Sequence, residues 1–215
     1  MKHLSKGLPI FAFWVLATNS FAQLSVNAGL VSDYVWRGYT QNDGDPSLSA
    51  GVNYAGSNGF YGSLWAGQVV DGLDIEIDGI VGWQTEKDSG LSLGAGYIYY
   101  AFTDDFAGEA DPNFGELFGS VGYRWFTLKY SYDENENGYL EGNVATELAA
   151  GITLGLHYGD YDFDAGPSSQ DWQVSLSKDW KSLSFLVAYA DLSGSGGIED
   201  EDSAYAGVTW SWSNE

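Results

Sequence analysis

Charged residues at strand-like spacings are the part of this chain that could do chemistry, and that chemistry is electrostatic. Asp74, Glu76 and Asp78 recur at every second position, so in an extended segment their carboxylates share one face. Asp33, Val35 and Arg37 repeat that spacing. An arginine set against an acidic ladder across a narrow space does one of two things. It filters solutes by charge, or it ties the walls together and plugs the space; both readings stand at this level. Glu116, Arg124, Lys129, Glu141, Glu147 and His157 fall on the same face of later segments and add charges of both signs. A lining of mixed sign points to a polar interior, because a buried charge is costly unless paired or wetted.

Covalent catalysis finds little support. There are no cysteines, which removes thiol chemistry and disulfides together. Lipid hydrolysis would need a serine, a histidine and an acid aimed at lipid. His157 falls on an inward face and no serine is tied to it by spacing, so the chain is not expected to be an enzyme. Asp133-Glu134-Asn135-Glu136-Asn137-Gly138 copies the first six positions of a calcium loop, but Val144 stands where the bidentate Glu belongs. No cofactor is expected. Loosely bound Ca²⁺ at Asp133, Asn135 and Asn137 is the alternative to a plain solvated acidic surface.

Such charges need walls to hold them. Twelve segments alternate apolar and polar residues with a period of two: 24–40, 47–55, 60–69, 73–86, 91–102, 114–124, 126–133, 139–148, 152–160, 171–180, 183–192 and 203–213. Strands of about ten residues, tilted by about 45°, cross the hydrocarbon of a bilayer, whereas strands elsewhere run to about five or six residues. The spacing therefore predicts an all-β fold: a transmembrane antiparallel up-and-down barrel of twelve strands. In the first segment Leu30, Tyr34 and Trp36 would face lipid, with Asp33 and Arg37 inward; the face of Trp65 is ambiguous. Tyr and Trp collect near segment ends, as interfacial girdles do. A secreted sandwich or a lipocalin-like cup also alternates, but neither needs so complete an apolar face.

The connections alternate too. Those at 56–59, 87–90, 125, 149–151 and 181–182 are short, which assigns them to the periplasmic rim. Those at 41–46, 70–72, 103–113, 134–138, 162–170 and 193–202 form the outer loops, most of them longer and acid-rich.

Residues 1–22 read as a cleavable signal peptide: Lys2, His3 and Lys6, an apolar run over 8–17, then Ser20-Phe21-Ala22. A membrane anchor is the rival, but ten helical residues rise only about 15 Å, half the roughly 30 Å required. Residues 23–215 would then form the barrel, in the bacterial outer membrane. The chain carries 30 acidic against 8 basic residues, a net charge of −22. That excludes nucleic acid as a partner and disfavours anionic solutes. Outer-membrane lipid and small cationic or neutral solutes remain as partners; the oligomeric state is left open.

The run Ser32-Asp33-Tyr34-Val35-Trp36-Arg37-Gly38-Tyr39-Thr40-Gln41, followed by Asp43-Gly44-Asp45-Pro46, resembles the opening signature of the TorF-family porins. The likeness continues through Gly59-Phe60-Tyr61-Gly62-Ser63-Leu64-Trp65-Ala66 and Glu76-Ile77-Asp78-Gly79-Ile80-Val81-Gly82-Trp83. The resemblance implies an outer-membrane barrel. Joined to the charge pattern, it gives the expectation of passive diffusion of small, preferentially cationic or neutral solutes. The alternative is a non-conducting barrel whose acidic outer loops bind a ligand, cations or an envelope partner.

Overall fold

The computed structural model describes residues 22–69, 74–103, 112–164 and 166–214, with only the backbone of Asp74. Residues 1–21 of the expected signal peptide and the outer loop at 70–72 lie outside the described residues, as does most of the loop at 103–113. The strands are β1 (Gln23–Val31), β2 (Val35–Trp36), β3 (Tyr39–Thr40), β4 (Ser47–Ala55), β5 (Phe60–Val69), β6 (Asp74–Glu86) and β7 (Leu91–Phe102). They continue as β8 (Phe114–Tyr123), β9 (Phe126–Asp133), β10 (Gly138–Glu147), β11 (Ile152–Asp162), β12 (Ser168–Trp180), β13 (Leu183–Gly194) and β14 (Glu201–Ser213). All but β2 and β3 form one closed barrel in which each strand pairs with its chain neighbour. The expected twelve-stranded count is therefore the count observed.

Closure runs through β1, which pairs antiparallel with β4 from Gln23↔Ala55 to Val31↔Ser47 and with β14 from Ser25↔Ser213 to Val31↔Gly207. A closed ladder leaves no strand edge, so every wall residue can satisfy its backbone within the sheet. The side chains then sort by alternation. Leu117 is 64% exposed on the outside, while its neighbour Glu116 is 1% exposed on the inside. Val81 and Ile80 divide in the same way. Leu48, Leu64, Leu93, Tyr130, Leu140, Val187 and Trp212 continue the apolar exterior around the barrel. This is the reverse of a lipocalin cup, whose apolar side chains face in and polar ones out. A contiguous apolar surface far above a few hundred Å² is foreign to a protein surrounded by water.

The first expected segment, 24–40, divides. β1 stops at Val31, the last residue opposed by both β4 and β14. Residues beyond Ser32 leave the wall and turn inward. Ser32 ends the ladder, its N–H donating to the Ala206 carbonyl and its hydroxyl accepting from the Ala206 N–H. β2 and β3 follow as a separate two-stranded hairpin. Tyr34 and Trp36, expected to face lipid, lie inside instead: Tyr34 is 2% exposed in a cluster with Val31, Trp65 and Val69, and Trp36 packs against that cluster. Period-two alternation persists through the hairpin because a hairpin is also extended chain, and pattern alone carries no record of what an extended segment lies beside.

Candidate functional site

The hairpin crosses the barrel interior, and its turn places Arg37 there. Val35 pairs with Thr40 and Trp36 with Tyr39, leaving Arg37 and Gly38 as a two-residue turn. Their φ values are 49° and 85°, the left-handed pair that a type I′ turn requires. Gly38 suits that conformation. A Cβ there would also stand 2.8 Å from Asp171 Cβ and 2.9 Å from Leu192 Cδ1, so the turn rests directly on the wall. Arginine does not favour positive φ, and left-handed backbone at a non-glycine costs roughly 1–2 kcal/mol. The strain is offset by what the side chain gains.

That gain is a buried ion pair. The Arg37 guanidinium bonds the Glu116 carboxylate, and the two side chains are 7% and 1% exposed. The guanidinium also lies over three rings, 4.3 Å from the centroid of Trp36, 4.2 Å from Tyr139 and 4.9 Å from Tyr161. Desolvated cation–π contacts reach about 2 kcal/mol, which helps to meet the cost of burying the charge. Arg37 Nη1 and Glu116 Oε1 make no hydrogen bond with any described residue.

The rest of the hairpin is tied to the wall on several sides. The Tyr34 hydroxyl donates to Glu76 on β6 at 3.0 Å, and its ring meets Trp65 on β5 edge-on at 5.5 Å. Asp33 accepts from Thr40 Oγ1 at 2.6 Å and from the Ser203 hydroxyl on β14. The Tyr39 hydroxyl donates to Ser169 on β12 at 3.0 Å. The Thr40 N–H donates to Glu201 on β14 at 3.1 Å. Val35 packs with Leu186, Ala190 and Tyr205 from β13 and β14.

A second polar network lines the wall formed by β9 to β12. Lys129 Nζ stands 2.6 Å from Glu141 Oε1. Asn143 Nδ2 donates to Glu141 Oε2 at 3.0 Å, and Asn143 Oδ1 faces His157 Nδ1 at 2.8 Å. His157 Nε2 reaches Asp171 at 3.0 Å and the Tyr139 hydroxyl at 2.9 Å. Tyr139 in turn donates to Asp171 at 2.8 Å. Register explains the cluster: Lys129 opposes Glu141, and Asn143 opposes His157. β11 carries Gly159 opposite Glu141, diagonal to Tyr139, and a Cβ there would collide with the Tyr139 hydroxyl. This chain of donors and acceptors can hold and pass a proton or pair with a charged solute. No serine bonds to His157 among the described residues, and the imidazole faces the interior rather than lipid.

Several expected sites require correction. Arg37 does not meet the Asp74, Glu76 and Asp78 ladder. The hairpin points Tyr34 at β6, and the next turn carries Arg37 away to Glu116. Glu76 and Asp78 are buried inside, as alternation requires, while the side chain of Asp74 lies outside the described part. Arg124 is not an interior residue. It forms the exposed turn between β8 and β9 at φ 56° and lies 5.0 Å over the Tyr123 ring. Glu147 ends β10 at the short-turn rim and is exposed. Asp33, Glu116, Lys129, Glu141 and His157 do face the interior.

The calcium-like run is a closed turn. Asp133 accepts from the N–H of Asn135 at 2.9 Å, the N–H of Asn137 at 3.0 Å and the Asn137 side-chain amide at 2.9 Å. Its carboxylate is thus taken up by the chain's own donors. Among the described residues no group of three or more His, Cys, Asp or Glu is placed to hold a metal. The sequence reading missed Tyr139, Tyr161 and Asp171 as members of the site. All three stand near the long-loop ends of their strands, Tyr139 as the first residue of the expected segment 139–148 and Tyr161 one residue past the expected segment 152–160. Asp171 was visible as the residue that opens the predicted tenth segment.

Residues 17–210 match the model of the Gcw_chp family, described as a bacterial protein of unknown function. No curated protein matches the chain. Among solved structures, the KdgM porin in complex with disordered oligogalacturonate superposes with a TM-score of 0.58 at 13% identity, over 88% of this chain and 99% of that one. The NanC porin superposes with a TM-score of 0.58 at 12% identity, over 87% and 98%. At such identities the likeness is one of fold. It supports the barrel fold that the TorF resemblance implies, while the matching family bears a different name.

Proposed function

Starting from the chain's membership of the Gcw_chp family, whose description assigns no function, we propose that it is an outer-membrane channel. Small solutes cross it passively, with cationic and neutral ones preferred over anionic ones. The signal peptide over 1–22 delivers it, the apolar exterior seats it in lipid, and the long-loop rim faces outward. The observation that carries the reading is the hairpin set inside a closed, polar-lined barrel. A barrel of this strand number needs a constriction to discriminate among small solutes, and β2–β3 supplies one. Its immediate surroundings hold Arg37 against Asp33, Glu76, Asp78, Glu116 and Asp171, an acidic majority. Acidic rings of that kind favour cations.

The solute class is argued from this chain and not from its structural neighbours. The KdgM structure carries oligogalacturonate, a polyanion. An acidic interior below an acidic rim is a poor match for such a ligand, so the shared fold serves a different charge class here. Liposome swelling with a cationic, a neutral and an anionic solute of similar size tests the reading. The expected order of rates is cationic, neutral, anionic. Impermeability to all three would reject the channel. That outcome would favour the second reading, a plugged barrel, which the many ties between hairpin and wall also support.

A further inference from the structure

We propose that the cavity on the long-loop side of the hairpin is a docking site for a neutral saccharide. The cavity measures about 420 Å³, inside the roughly 300–1,000 Å³ range of small-molecule sites. Its floor is the hairpin, through Trp36 and Tyr39; its walls include Phe114, Tyr161 and Phe163. Five aromatic rings around one small cavity are more than a solvent-facing loop cluster needs. Tyr161 and Phe163 lie 4.2 Å apart at 36°, and Trp36 meets Tyr161 at 6.2 Å and 82°. Trp36 and Tyr161 carry the Arg37 guanidinium, so the platforms left for the apolar face of a sugar are Phe163 and Phe114, which pack on one side against Tyr161 and Tyr100.

The polar contribution comes from Asn135. Its backbone N–H is committed to Asp133, while its side-chain amide, on the exposed rim of the same cavity, makes no hydrogen bond among the described residues. A carboxamide offers a donor and an acceptor side by side, which suits the neighbouring hydroxyls of a sugar. The alternatives in charge fit less well. An anionic sugar would approach past Asp133, Glu134, Glu136, Asp162 and Asp164. A cation would seek the faces of Trp36 and Tyr161, which already carry the Arg37 guanidinium. The proposal rests on the channel reading for the side from which the solute arrives, and not for the binding itself.

The test is a calorimetric titration of the refolded chain in detergent micelles with maltotriose, trigalacturonate and the glucosamine trimer. Maltotriose is expected to bind saturably and to exceed the other two. Phe163→Ala should weaken it about tenfold, the loss of one stacking ring, and Asn135→Ala several-fold. Both positions lie beyond the ends of the barrel ladder, so the variants should keep the wild-type circular dichroism spectrum. Absence of saturable maltotriose binding, equal binding of all three trimers, or an unchanged affinity in Phe163→Ala would each overturn the site. Liposome flux separates the two readings. Binding without flux keeps the site and rejects the channel; flux without binding rejects only the site.

Discussion

Arg37 concentrates the consequences of this structure at the scale of one residue. It occupies a left-handed turn position, lies over three rings and neutralises a carboxylate that is 1% exposed. Removing one partner of such a pair strands the other charge, at a cost of about 3–5 kcal/mol. That energy is set against the side-chain ties of Asp33, Tyr34, Tyr39 and Thr40, so Arg37→Ala should loosen the hairpin while the barrel stays closed. In planar bilayers its single-channel conductance should rise and its cation preference strengthen, since a positive charge leaves and Glu116 stays; an unchanged trace would count against a filter at this position. Arg37→Ala with Glu116→Gln should recover about half or more of the lost stability, read as the urea midpoint in lipid, because the stranded charge is gone. His157 belongs to the same scale. Its partners are Asp171, Tyr139 and Asn143, and His157→Ala should loosen the β10–β12 wall without abolishing folding.

The decisive element is the hairpin, and two features set its behaviour. It is built on its own ladder of two residue pairs, and it hangs from the wall by side-chain ties rather than by sheet pairing. Replacing residues 32–42 with a short Gly-Ser linker should therefore leave the twelve-stranded ladder intact, as read by an unchanged β-sheet circular dichroism spectrum. Conductance should rise several-fold; if it stays at the wild-type level, the hairpin is not what narrows the barrel. Gly38→Ala probes the seat of the turn more gently. It combines a disfavoured φ of 85° with a contact of 2.8 Å to Asp171 Cβ, and steric overpacking costs about 1–3 kcal/mol. The expected result is a partly displaced hairpin with unstable, flickering conductance levels.

Over the whole molecule, charge is the governing quantity. A net charge of −22 over the whole chain creates a field that reaches beyond any single contact. If that field sets the cation preference, ionic strength should erode it. The screening length falls from about 10 Å at 0.1 M salt to about 3 Å at 1 M. Reversal potentials across KCl gradients centred on those two concentrations should show a cation preference at the lower one that shrinks at the higher. A preference that survives 1 M salt would instead locate selectivity in the desolvated contacts around Arg37 and Glu116, where screening reaches little.

The barrel was legible in the amino-acid sequence because lipid outside and water or polar groups inside force a period of two on every wall strand. Segments 47–55, 60–69, 91–102 and 126–133 coincide with β4, β5, β7 and β9 to the residue. Their ends are marked by turn residues, and their two faces meet different solvents. The inward placement of Glu76, Glu116, Lys129, Glu141 and His157 follows from the same rule. Arg124 failed that rule because it sits in a turn, where alternation no longer tracks the pleat. What the sequence by itself determined is the wall, which each strand specifies from local pattern alone. What only the tertiary structure decided is the content of the lumen. Residues 32–42 alternate like any strand, and nothing local records that β4 and β14 have already claimed both edges of β1. Whether Arg37 meets Glu76 on one side or Glu116 on the other depends on the direction a two-residue turn takes inside a closed space, and only contacts distant in sequence settle that.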